Sequence, residues 1–215
     1  EGFVTDPRVL SVDDVTGDGI FDLSFLTGDC SAATCMDGVT ILSSHGGGVL
    51  RNLAPDFAYA PFPTFEFVPG VAESKDLVVV EGILGDPNAG PQRSMTVTWS
   101  FVGGVFTRTT ELREAPSYRI HALHDGDDAL RRQDYRQADA SYGQVINDGT
   151  LQAWDANPSL ANEPQILGAF AYVRLIQSSA LRGDATGAQA AYDSLTRFAL
   201  ADSPGYLYAQ IGEAF

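Results

Sequence analysis

The chain has 215 residues, with 28 Asp and Glu against 13 Lys and Arg, a net charge of −15 and a pI of about 4.3. That balance repels phosphate backbones and excludes nucleic acid as a partner class. With 44% hydrophobic and 10% aromatic residues the chain can fill one good core or two small ones, which excludes intrinsic disorder, and apolar runs such as 77–80 and 169–173 fall far short of the ~18 residues a membrane-spanning helix needs.

Up to about residue 110 the chain reads as short strands separated by Gly and Pro. The predicted strands are 8–12, 21–26, 39–43, 49–53, 64–68, 77–83, 95–101 and 105–110. Gly46-Gly47-Gly48 and Gly103-Gly104 sit between β-prone runs, where hairpin turns need positive φ. A faint duplication runs through this half. Asp22-Leu23, then Val39-Thr40-Ile41, then Gly47-Gly48-Val49 recurs as Asp76-Leu77, then Val97-Thr98-Trp99, then Gly103-Gly104-Val105. Two strand-strand-hairpin units are expected.

Beyond Pro116 the period becomes helical, with helices predicted over 118–132, 134–147, 164–182, 185–199 and 204–214. A second repeat, spaced by 50, relates Asp134, Ala138 and Tyr142 to Asp184, Ala188 and Tyr192. The small residue lets two helices approach, and the aromatic one turn later fills the groove beside it. The fold class expected is therefore a two-part α+β chain: residues 1–116 as an antiparallel β domain of two hairpin-rich units, and 117–215 as a helical domain. The first part carries net charge −10 and the second −5, so the acidity is concentrated in the β half.

The strongest chemical signal is the stretch Asp14-Val-Thr-Gly-Asp18-Gly19-Ile-Phe-Asp22. Oxygen-bearing residues at relative positions 1, 3, 5 and 9, with Gly at 4 and 6, wrap a chain around a hard cation, so the cofactor expected is Ca2+. A following strand and the lack of Glu at position 12 argue against an EF-hand. Cys30 and Cys35, with four residues between them, suit a small disulfide loop, because no second Cys pair or nearby His completes a zinc site. A disulfide in turn points to an oxidising, extracellular location. The start at Glu1, without Met, fits a processed secreted protein or a trimmed chain.

The acidic stretch resembles the calcium loop of FG-GAP and integrin-type repeats. That resemblance implies side-chain ligands from Asp14, Thr16, Asp18 and Asp22 and a backbone carbonyl from Ile20. Thr16 stands where the family prefers Asn or Asp, and Asp13 adds charge beside it. The segment Gly183-Asp184-x-x-x-Ala188-x-x-x-Tyr192-x-x-Leu195 resembles the second helix of a tetratricopeptide repeat. The first copy carries Gln133 where that family prefers Gly, and the 147–164 connection is longer than usual.

Other constellations carry less. His121, His124, Asp125, Asp127 and Asp128 form a second candidate metal set, as a two-His transition-metal site or a looser calcium site of the three acids, set against a plain reading as packed histidines and solvated acids. His45-Gly46-Gly47-Gly48 imitates an esterase oxyanion segment, but its Gly-x-Ser-x-Gly partner is missing, and Asp86-Pro87-Asn88 reads as a turn. Lys75 is the only lysine, there is no nucleotide-binding loop, and none of the carboxylates is singled out for acid-base work.

The function expected is thus a non-enzymatic, secreted, calcium-binding structural protein. Two helical repeats and one extra helix leave ends to cover, so a homo-oligomer or homopolymer, the subunit of a fibre or surface layer, is expected through the helical domain and the termini. The alternative is a monomeric adhesion module with proteins or glycans as partners, using Trp99, Trp154 and tyrosines as stacking faces. A hydrolase is the least supported class.

Overall fold

The structure, a computed structural model, describes residues 3–4, 6–31, 34–44, 49–57, 59–84, 90–154 and 162–212, with the side chains of Phe3 and Val4 excepted. The His45 turn, the Asp86-Pro87-Asn88 segment and Phe215 lie outside the described residues. The chain divides into two compact units, Glu1–Glu114 and Ala115–Phe215.

The described residues of the first unit hold ten strands: β1 (Phe3–Val4), β2 (Arg8–Asp13), β3 (Asp22–Cys30), β4 (Cys35–Ser44), β5 (Leu50–Asn52), β6 (Ala60–Pro61), β7 (Thr64–Pro69), β8 (Lys75–Glu81), β9 (Met95–Val102) and β10 (Val105–Arg113). All pairings are antiparallel. One sheet runs β7-β8-β9-β10 as a meander. The other runs β2-β3-β4-β5, with β1 extending the β2 edge at Cys30 and β6 extending the β5 edge at Asp37. The duplicated sequence signal thus corresponds to two meanders of the same order. Strands β1 and β6, two residues each, have no prediction to match, because two residues cannot display a period.

Alternation places the core. On β8 and β9 the register pairs Leu77 with Trp99 and Val79 with Val97, and all four are buried. On β3 and β4 it pairs Leu26 with Val39 and Ser24 with Ile41, also buried. These side chains join Val15, Leu53 and Phe106 in one core fed by both sheets. Trp99 lies within it, its ring 4.8 Å from that of Phe57, and is no exposed stacking face for a sugar.

The second unit holds α1 (Arg119–Arg131), α2 (Tyr135–Asn147), α3 (Glu163–Leu181), α4 (Ala185–Phe198) and α5 (Tyr206–Gly212). The repeat spaced by 50 is visible bond by bond. Asp134 and Asp184 cap α2 and α4, accepting from the N–H of Gln137 at 3.1 Å and of Gly187 at 2.8 Å. Their own N–H groups donate to Ala129 and Ser179 carbonyls, both at 2.9 Å. Gln133 and Gly183 precede them with φ of 61° and 75°. Gln133 therefore adopts the left-handed conformation that Gly takes freely one repeat later.

Ala138, Tyr142 and Val145 of α2 are fully buried in one cluster with Ala122, Ala129 and Ala171. Gly126 of α1 is required there, since a Cβ would come within 2.5 Å of the Tyr142 ring. The Tyr142 hydroxyl donates to Asp127 Oδ1 at 2.7 Å, and Asp127 also pairs with Arg174 at 3.0 Å. One repeat later, Ala188 and Tyr192 are only half-buried, while Gly212 of α5 lies against Leu195 farther along α4. A groove of about 440 Å³ remains between α3 and α4, lined by Ile176, Ala180, Ala188, Tyr192 and Gly212 among others.

Candidate metal site

The predicted cation loop is the connection between β2 and β3. Gly17 and Gly19 have φ of 78° and 81°, a conformation that a Cβ would strain, and they let the chain curl tightly around the Asp14 side chain. Asp14 Oδ1 accepts from the N–H of Gly17 at 2.7 Å and of Asp18 at 3.2 Å, and Oδ2 from that of Gly19 at 2.8 Å. The Thr16 hydroxyl donates to Asp14 at 3.4 Å. Burial raises the Asp14 carboxyl, but these donors, Gly19 foremost, outweigh it and hold the group below its ordinary range, so it is ionised at neutral pH. Asp18 Oδ1 accepts from Ile20 N–H at 2.9 Å and stays at the surface.

Asp22 differs from the other acids. It opens β3 on the core-facing side of the strand and is only 1% exposed. Its Oδ2 accepts from Val15 N–H at 3.1 Å and Thr16 N–H at 3.2 Å, whereas Oδ1 is buried and has no hydrogen-bond partner among the described residues. An orphaned carboxylate oxygen costs several kcal/mol by analogy with other buried charged groups, roughly 2–5. Direct ligation of a cation would compensate that cost, and the donor set, hard oxygens only, suits calcium. Three carboxylates, the Thr16 hydroxyl and the Ile20 carbonyl fit the ion in kind, and bidentate carboxylates or waters would complete its shell. They are not drawn together: among the described residues no three His, Cys, Asp or Glu side chains form a metal cluster, and Asp14 and Asp18 are turned onto loop N–H groups.

The second set is spread over unlike surroundings. His121 and His124 share α1, but His121 is buried, its Nδ1 accepting from Tyr118 N–H at 3.5 Å and its ring edge-on to that of Tyr118, whereas His124 is exposed. Asp127 is taken up by Tyr142 and Arg174, Asp128 pairs with Arg131, and Asp125 lies half-buried.

Cys30 and Cys35 are joined by a disulfide and face each other directly across β3 and β4, at the mouth of the hairpin. With four residues between them in sequence, the closed loop is short, and the double Ser variant should lose about 2 kcal/mol on the loop-entropy argument. Mass spectrometry of unreduced protein checks the bond: a cross-linked 30–35 peptide is expected, and two free thiols in fresh material would contradict it.

One participant escaped sequence reasoning. Lys75, at the start of β8, pairs its ammonium with Asp13, and its N–H donates to the Val15 carbonyl at 2.9 Å. Being the only lysine in an acidic chain is the one sequence signal it carries. No family model, curated protein or solved structure is matched by this chain, so the reading of its site rests on its own residues.

Proposed function

We propose that the protein is an extracellular calcium-binding structural protein, non-catalytic, that associates with copies of itself through its helical unit. The observation that carries this reading is the buried, half-satisfied carboxylate of Asp22 at the end of a loop whose other oxygen donors have calcium-loop spacing. Asp14, Thr16, Asp18 and Asp22 would hold the ion with their side chains and Ile20 with its carbonyl. The ion supplies charge neutralisation and cross-linking of the loop. The chain's own contribution is to present ionised Asp14 and to fix Asp22 by two backbone N–H groups. The likeness to FG-GAP and tetratricopeptide repeats belongs to the same proposal.

Self-association is supported by the end of the helical stack. Leu200, just before α5, and Leu207 and Ile211, one turn apart on α5, are 64, 70 and 47% exposed there. Apolar side chains grouped on one end favour burial against another surface. A charge of −15 per chain opposes that contact, so bound calcium and Arg-carboxylate pairs must offset it. Sedimentation velocity at high protein concentration tests the idea. Oligomers are expected in calcium, fewer in chelator, and mainly monomer for Leu207→Asp with Ile211→Asp. A parent that stays monomeric in calcium would overturn it in favour of a monomeric binding module.

A further inference from the structure

Residues 13–18 alternate in what they do. Asp14, Thr16 and Asp18 are the loop's side-chain oxygen donors, while the residues between them hold the second sheet. Asp13 pairs with the Lys75 ammonium. Val15 is fully buried in the core shared by both sheets, and its carbonyl accepts from Lys75 N–H at 2.9 Å. Gly17 lies against the turn between β7 and β8 so closely that a Cβ would sit 2.8 Å from the Glu73 carbonyl carbon and the Ser74 nitrogen and 3.1 Å from the Ala72 oxygen.

The turn is itself a braced object. Ser74 is buried, its hydroxyl donates to the Val71 carbonyl at 2.6 Å, and its own carbonyl accepts from Gly70 N–H at 2.9 Å. Ala72 and Glu73 both have positive φ, 54° and 67°, without being glycine. Such conformations persist only where the surroundings impose them. In the order of the two meanders this turn corresponds to the cation loop: one connects β2 to β3, the other β7 to β8. It lacks the acidic spacing and presents backbone to its counterpart instead.

We propose that the β7-β8 turn is the seat of the cation loop, with Lys75 and Gly17 as positioning residues, so that an ion held by the first sheet also tightens the second. The inference rests on the calcium reading above and goes beyond it in assigning the transmission. The alternation supplies the route: an ion that draws in residues 14, 16 and 18 fixes 13, 15 and 17 against Lys75 and the turn, because residues adjacent in a tightly curled loop share rigid peptide planes and cannot move independently. Lys75 has a further effect, since its charge offsets Asp13 in a loop that gathers four acids, Asp13, Asp14, Asp18 and Asp22.

Hydrogen exchange with calcium added to the full chain tests this. In the parent, calcium should slow amide exchange over 15–20, in β3 and also in β8, by about fivefold or more in the last, the lower end of ordinary coupling between sites. In Lys75→Met the slowing over 15–20 and β3 should persist while that in β8 falls away, and Lys75→Arg should restore it. Slowing confined to the first sheet in the parent, or equal slowing of β8 in parent and Lys75→Met, would overturn the proposal while leaving the calcium reading intact. No change over 15–20 in the parent would overturn both.

Discussion

Asp22→Ala is expected to destabilise the β unit by up to about 6 kcal/mol, since it strips the Val15 and Thr16 N–H groups of their acceptor in a buried place, at about 1–3 kcal/mol each, with part of that offset by removal of the orphaned Oδ1. Asp22→Asn separates structure from ion binding. Its amide oxygen still accepts from both N–H groups, and the burial cost of a charge disappears, so its midpoint in calcium-free buffer should equal or exceed that of the parent. Calcium at a hundredfold excess over Kd should stabilise the parent by about 2.7 kcal/mol, roughly 10 °C for a unit of this size. Neither Asp22 variant should gain it, and Asp18→Ala, at the surface, should lose only the gain. Thermal melts of the four proteins with and without calcium check all of this. An Asp22→Asn protein that responds to calcium like the parent would show that Oδ1 is not a ligand.

Tyr142→Ala is expected to cost the helical unit about 3–5 kcal/mol, the range for deleting a buried aromatic, because Tyr142 has no exposure and fits against Gly126. Its counterpart Tyr192→Ala should cost only about 1 kcal/mol, since that ring borders the open groove. Tyr142→Phe removes the hydrogen bond to Asp127, worth about 1 kcal/mol. It also changes the pH response. Burial first, then the hydrogen bond to Asp127 and its charge, push the Tyr142 phenol far above its ordinary value of 10.0. The folded-state value is the higher one, so this contribution to stability is full below about pH 10 and declines as the unfolded chain ionises above it. Tyr142→Phe should flatten that alkaline decline. Urea melts between pH 7 and 11 measure both effects, and equal costs for the two Ala variants would contradict the asymmetry of the stack.

Much of the fold was legible because its signals are local. The alternation of Leu77 and Val79 with half-buried or exposed neighbours names a strand and its inward face, and Asp184-x-x-x-Ala188-x-x-x-Tyr192 names a helix start and a packing face. Repetition made the rest readable, since two copies of a weak pattern are stronger evidence than one. What lay outside local reach was pairing. Nothing near Asp13 in sequence points to Lys75, 62 residues away, and nothing in the spacing of Ala188 and Tyr192 foretells that they are less covered than Ala138 and Tyr142. The proposed cation loop was legible as a list of oxygen-bearing residues but not as an arrangement. Spacing treats Asp14, Asp18 and Asp22 alike, whereas the fold gives Asp14 to loop N–H groups, leaves Asp18 at the surface and buries Asp22 with one oxygen unmet. Likewise His121 and His124 of α1 are neighbours on the helix surface by their three-residue spacing, but the packing of the unit buries His121 and leaves His124 exposed.

A calorimetric titration of the purified chain with calcium, run beside Asp18→Ala, tests the central claim most directly. One ion per chain is expected, with a Kd of about 0.1–1 mM in keeping with extracellular calcium modules and with a neutral Thr16 among the donors, and no binding heat is expected for Asp18→Ala. A parent that gives no heat up to about 10 mM calcium, beyond the affinity range of such modules, would contradict the account.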